Sequence, residues 1–255
     1  MTQATYDVLG IGNAIVDILA QTEDAFLAAQ GMNKGSMALI DEDRAAAIYK
    51  AMGPAVEISG GSAANTIAGV ADFGGKAVFV GKVKNDTLGG VFSHDIRAAK
   101  VVFNTQAATD GPATACSYIL VTPDGQRTMN TYLGAAQNLH PDDVDSAQVE
   151  AAKITYLEGY LWDPVDAKEA FLKASDIAHK AGRRVSLTLS DAFCVGRYRS
   201  EFLDLMRKGT VDLVFANEAE LLSLYETSDF DAALKQFDAD VKTGVVTRSE
   251  KGCVI

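Results

Sequence analysis

The chain has 255 residues, 48% hydrophobic and 22% charged. That suits one large α/β-sized domain with a buried core and excludes a disordered chain. Lys and Arg total 23 against 34 Asp and Glu, a formal net charge of -11, so nucleic acid is a poor partner, because phosphate contacts call for a basic patch. No run approaches the roughly 18 apolar residues of a membrane span. The start, Met1-Thr2-Gln3-Ala4-Thr5, lacks the basic and apolar regions of a signal peptide.

Tyr6–Ile11 reads as the first strand. It runs into Gly10-Ile11-Gly12-Asn13-Ala14-Ile15, which begins like a dinucleotide-binding G-x-G-x-x-G but has Ile15 where the third glycine belongs. Asn13 and Asp17 lie just past the strand, in a stretch that reads as irregular. An amide and a carboxylate there can hydrogen-bond the vicinal hydroxyls of a sugar. The plainer alternative is an Asx turn at Asn13 and a helix cap at Asp17.

Met37–Ile40 is a short strand-like run before an N-cap at Asp41. Helices are expected over Asp43–Met52, Ala63–Phe73 and Leu88–Ala99, with a strand at Ala77–Lys82 between the last two. The segment Gly60-Gly61-Ser62-Ala63-Ala64-Asn65 pairs two glycines with a helix start that Ser62 can cap. Such a turn can hold a phosphate, or can simply join a strand to a helix. No Walker A sequence occurs.

Ala115–Thr122 and Arg127–Leu133 flank Pro123-Asp124-Gly125, which predicts a β-hairpin. With Met37–Ile40 it makes a small β lid, about residues 33–40 and 112–134, over the carboxyl edge of a sheet, where open α/β sheets bind ligands. Strands at Ile154–Leu157, Val185–Leu189, Val211–Phe215 and Gly244–Thr247 then alternate with helices at Asp166–Ala181, Ser200–Arg207 and Glu218–Tyr225. This predicts an α/β fold, a mostly parallel sheet with helices on both faces. Asn217 and Glu220 share one face of a helical turn. They can orient water around Mg²⁺ and phosphate, or merely cap an acidic first turn. Cys116, Cys194 and Cys253 are scattered and form no C-x-x-C, and the histidines do not cluster. Neither a zinc knuckle nor a disulfide framework is indicated, and a reducing cytoplasm is expected.

Together these residues resemble the ribokinase-like (PfkB) family of carbohydrate and nucleoside kinases. The likeness is carried by Asn13 and Asp17 after the first strand, by Gly60-Gly61-Ser62…Asn65, by Gly81…Asp86…Gly89, and by Asn217…Glu220, which is similar to an N-x-x-E motif. Thr247…Gly252 is similar to T-x-G-x-x-G, with Ser249 in place of the usual glycine. Within the family the chain looks most like adenosine kinases, on Pro112…Thr114-Ala115-Cys116, Leu133-Gly134-Ala135-Ala136 and Leu189-Ser190-Asp191-Ala192-Phe193.

The resemblance implies a ribokinase-like domain over residues 1–255 that transfers the γ-phosphate of ATP, with Mg²⁺, to a primary hydroxyl of a nucleoside, adenosine first. A ribokinase- or fructokinase-type sugar kinase, a non-catalytic nucleoside-binding or regulatory protein, and an interaction protein are the alternatives. It implies that Asn13, Asp17, Gly60, Gly61, Ser62 and Asn65 hold sugar hydroxyls, which replaces the phosphate reading of the glycine pair. Met37, Leu39, Cys116 and Leu133 would line the space over the base. Asn217, Thr247 and Gly252 would touch ATP, and Glu220 would act on Mg²⁺ through water.

The family's catalytic G-A-G-D supplies the base and an anion-holding helix start. It does not occur in these residues, and none of Asp7, Asp86, Asp191 or Asp212 sits in a glycine-flanked helix start. The apolar ending Gly252–Ile255 reads as a sheet that continues, so the base is expected beyond Ile255 and the 255 residues alone are expected to be inactive. A homodimer through an exposed lid edge is a further expectation.

Overall fold

The computed structural model describes residues 4–255. Its strands, in chain order, are β1 (Tyr6–Ile11), β2 (Ile15–Gln21), β3 (Met37–Leu39), β4 (Val56–Gly60), β5 (Ala77–Val80), β6 (Val102–Phe103), β7 (Ala115–Val121), β8 (Arg127–Tyr132), β9 (Ala152–Glu158), β10 (Arg184–Thr188), β11 (Leu213–Asn217), β12 (Thr243–Thr247) and β13 (Cys253–Val254). The helices are α1 (Asp24–Ala29), α2 (Glu42–Ala51), α3 (Ser62–Asp72), α4 (Thr87–Ala98), α5 (Ser146–Ala151), α6 (Val165–Lys180), α7 (Ala192–Arg207), α8 (Glu218–Leu224) and α9 (Phe230–Asp240). No helix among the described residues is long and apolar enough to cross a membrane.

Apolar runs buried on both sides build the larger sheet. Its order is β13-β12-β11-β10-β9-β1-β5-β6. All neighbours are parallel except β13, which turns back along β12. One face packs Leu9, Ile11, Leu157, Val185 and Leu187 against Trp162, Phe171 and Phe202. The other packs Phe79 against Ile67, Phe92 and Phe103. Helices on both faces are what continuous Val/Ile/Leu strands require. In α6 the buried residues Ala167, Ala170, Phe171, Ala174 and Ala178 recur at helical spacing and form the stripe toward the sheet. Burying Phe171 alone is worth about 1.5–3 kcal/mol.

The expected starts of α2 and α4 fall close to the observed ones because side-chain caps set them. Asp41 accepts a hydrogen bond from Arg44 N at 2.8 Å and Asp86 one from Gly89 N at 2.8 Å. α7 starts earlier than expected, at Ala192, because Asp191 caps it through Cys194 N at 2.6 Å. A non-helical residue, Tyr198 (φ -121°, ψ 20°), separates that early part from the expected one.

The smaller sheet has the order β3-β8-β7-β2-β4. The predicted hairpin is its centre, β7 antiparallel to β8, and the short Met37 run is its edge strand β3. The lid is larger than the sequence reading made it, because β2 and β4 belong to it. Asp17 is therefore neither in an irregular stretch nor a helix cap. It lies inside β2, opposite Ile58 of β4 and Ser117 of β7.

Candidate functional site

Strand pairing aligns one row of residues across all five lid strands. Leu39 pairs with Thr131, Thr131 with Ser117, Ser117 with Asp17, and Asp17 with Ile58. Paired residues share a face, so the carboxylate of Asp17 belongs to the same face as Leu39 and Ile58. The next row is Met37, Met129, Ile119, Leu19 and Val56. Met37, Leu39, Val56 and Ile58 are exposed. Leu133 packs on Ala136 and on Ile15 and Ala115, a strand pair of the same parity as Asp17 and Ser117. This face sets the Asp17 carboxylate between Ile58 and the Ser117–Thr131 hydroxyl pair, which hydrogen-bond each other at 2.8 Å, with exposed apolar side chains on the two edge strands. Burial pushes the Asp17 carboxyl up to about 6, against the opposing pull of the Arg127 charge.

Cys116 is the exception among the expected lining residues. It pairs with Val16, one step out of phase with Asp17. It packs with Val16, Ile18, Ala45 and Ile48, on the face that α2 covers. A one-residue step along a strand reverses the face, so Cys116 points away from the Asp17 side.

The glycine pair fits this geometry in two ways. A Cβ on Gly60 would come within 2.2 Å of Asp17 Oδ2, so glycine leaves room for the carboxylate. Gly61 has φ 99°, and a Cβ there would come within 2.4 Å of Asn13 O. Gly61 rather than Ser62 occupies the N-cap position of α3 and makes no side-chain cap. Ser62 is the first helical residue, and its carbonyl accepts from Thr66 Oγ1 at 3.0 Å. Asn65, one turn into α3, is exposed. Asn13, Gly61, Ser62 and Asn65 therefore gather where β1 ends and α3 begins, beside the lid.

Glu158 is a site residue that no motif flagged. It ends β9 and accepts hydrogen bonds from Asn13 and from Ala63. Burial pushes its carboxyl up, and the donated hydrogen bonds of Asn13 and Ala63 oppose that rise.

The second half of the site lies along the same carboxyl edge. Asn217 pairs with Thr247 across β11 and β12. Asn217 and Glu220 form a reciprocal capping box. Glu220 N donates to Asn217 Oδ1 at 2.9 Å, and Asn217 N and Nδ2 donate to the Glu220 carboxylate at 3.0 and 2.6 Å. The plain capping role of this pair is real. Burial raises the Glu220 carboxyl, Asn217's hydrogen bonds lower it and the Asp191 charge raises it further. Among the described residues no group of three or more His, Cys, Asp or Glu could cage a metal ion. One carboxylate with both oxygens already hydrogen-bonded suits Mg²⁺ held through water and phosphate, the way Mg²⁺ is commonly bound. Gly252 (φ 81°) closes a tight turn in which Arg248 N donates to Gly252 O at 2.7 Å. Ser249 in that turn has φ 49°, a left-handed conformation that favours glycine.

None of the four aspartates considered as a base is free for that work. Asp7 holds Lys76 N and Lys153, and Asp86 holds Gly89 N and both donors of Thr114. Asp191 caps α7, and Asp212 holds Val185 N, His179 and Lys242.

Residues 41–255 match the model of the pfkB family carbohydrate kinases. The adenosine kinase from Sinorhizobium meliloti is similar in structure, with TM-score 0.91 and 58% identity over 98% of this chain and 77% of that one. A probable sugar kinase protein from Rhizobium etli CFN 42 has TM-score 0.92 and 56% identity, over 99% of this chain and 76% of that one. Probable fructokinase-3 of Arabidopsis thaliana is 26% identical over 200 residues, 76% of this chain. The chain spans 58% of the length of that fructokinase.

Proposed function

The chain belongs to the pfkB family of carbohydrate kinases, and from that premise we propose that it serves an ATP-dependent kinase acting on a nucleoside, adenosine first. The 255 residues supply the nucleoside and ATP contacts but contain no G-A-G-D, so by themselves they bind without turnover.

The observation that carries this reading is the lid row. Asp17 stands between Ile58 and Ser117 on a face whose far edge strand carries Met37 and Leu39. A carboxylate accepts from ribose hydroxyls, while apolar side chains cover a flat base. A bare sugar has no use for that apolar surface, which favours a nucleoside over fructose or ribose. Asn13, Gly60, Gly61, Ser62 and Asn65 complete the ribose side, and Leu133 adds to the apolar side. Closing the lid excludes water that would otherwise compete for the phosphate.

On the ATP side, Asn217, Thr247 and the Gly252 turn would contact the nucleotide. Glu220 would orient water around Mg²⁺, which when bound offsets charge on the phosphates. The open edges of the lid sheet are β3 and β4, and a homodimer through one of them is part of the proposal. A cytoplasmic site of action fits three free cysteines, two of them buried.

Equilibrium dialysis of labelled adenosine, ribose and fructose, with and without ATP and Mg²⁺, tests this. Adenosine should be retained and no AMP formed by the 255 residues. Retention of fructose instead of adenosine would support the sugar-kinase alternative, and retention of none would end the proposal.

A further inference from the structure

Three segments of the proposed site meet on one carboxylate. Glu158 is 1% exposed, and so is Asn13. Glu158 Oε2 accepts from Asn13 N at 3.2 Å and from Ala63 N at 3.0 Å, while Oε1 accepts from Asn13 Nδ2 at 3.0 Å. The end of β1, the first turn of α3 and the end of β9 are thus tied at one point. Packing there is close. A Cβ on Gly12 would come within 2.1 Å of Glu158 Oε2 and 2.6 Å of Ala63 Cβ.

The polarity of this arrangement matters. An ionised carboxylate is acceptor-only, so it receives all three N–H groups without conflict. Because Asn13 Nδ2 is committed to Glu158, the atom left on that side chain is the acceptor Oδ1. Oδ1 is buried and has no hydrogen-bond partner among the described residues. A buried unpaired acceptor is unfavourable, and a hydroxyl donor satisfies it.

We propose that Glu158 is a positioning residue that locks the Asn13 amide in the orientation leaving Oδ1 as an acceptor for a ligand hydroxyl. The inference rests on the nucleoside reading above, and it makes one ribose hydroxyl a selected feature. A neutral amide at position 158 reverses the logic. Its own N–H₂ would donate to Asn13 Oδ1, the Asn13 amide would turn over, and Nδ2 would replace the acceptor.

The test is calorimetric titration of adenosine, 2′-deoxyadenosine and 3′-deoxyadenosine into the wild-type chain and Glu158→Gln. The wild type should bind adenosine roughly ten- to a hundredfold more tightly than one of the two deoxy analogues, the value of one buried hydrogen bond. Glu158→Gln should lose that discrimination while its affinity for the same analogue stays within about threefold. Equal weakening of all three ligands would mean a purely structural role and would overturn the inference. So would a wild type that binds adenosine beside a variant that still discriminates. A wild type that binds none of the three overturns the nucleoside reading instead. Should Glu158→Gln fail to fold, solvent exchange of the Asn13 side-chain N–H₂ in the wild type decides. Slow exchange supports the lock, and fast exchange contradicts it.

Discussion

Asp17 and Gly60 are fitted to each other: a Cβ at position 60 would lie 2.2 Å from Asp17 Oδ2 and 2.3 Å from its Cγ. The glycine at the end of β4 thus reserves the space of the carboxylate on β2. Gly60→Ala should push Asp17 off its position. Overpacking of this kind costs about 1–3 kcal/mol. Adenosine affinity should fall by roughly tenfold or more. Calorimetry beside a thermal melt separates the two effects.

Asp17 also predicts a pH dependence. Its carboxyl rises from 3.8 to about 6 on burial. Between those values the folded chain holds a proton that the unfolded chain has lost, so stability falls as pH rises through this window. The contribution is present in full below 3.8 and is lost above about 6. Asp17→Asn should flatten this slope and stabilise the chain at pH 7 by about 1–3 kcal/mol. The same variant should bind adenosine at least about tenfold more weakly, since the amide no longer offers two acceptors. Denaturant melts at several pH values, paired with calorimetry, check both outcomes.

The Asn217–Glu220 box predicts a split between nucleotide and metal. Glu220→Ala removes the acceptor of Asn217 N and Nδ2 and should cost about 1–2 kcal/mol of stability. ATP affinity measured with Mg²⁺ should fall more than affinity measured in EDTA. Equal losses in both conditions would leave Glu220 with its capping role alone.

Ser249 predicts a stabilising substitution. A non-glycine residue at φ 49° carries strain of about 1–3 kcal/mol. Glycine gives part of that back through its entropy cost of about 0.5–1 kcal/mol. Ser249→Gly should therefore match or exceed wild-type stability, by up to about 2.5 kcal/mol. Ser249→Val should lower it. Chemical denaturation of the two variants is the check.

The large sheet was legible because strands buried on both faces read as unbroken apolar runs, as in Ala77–Val80. The Asn217–Glu220 pair was legible because its partners are three residues apart. The lid was only partly so. β2 carries Asp17 in its middle and follows a glycine-rich turn, so its alternating burial was masked. β4 is five residues long, with Glu57 inside it. The face of Cys116 could not be read at all, since it depends on register with a strand about a hundred residues earlier, and one step reverses it. Glu158 looked like an acidic residue closing an apolar run. Its partners lie 145 and 95 residues away in the chain, so only the folded sheet edge gives it a role.

Whether the Asp17 face of the lid binds a nucleoside is decided by titrating adenosine and fructose into the wild-type chain and Asp17→Ala. Adenosine should bind the wild type at least about tenfold more tightly than fructose does, and Asp17→Ala should remove that binding. Fructose binding at least as tightly as adenosine, or adenosine binding unchanged by Asp17→Ala, would contradict it.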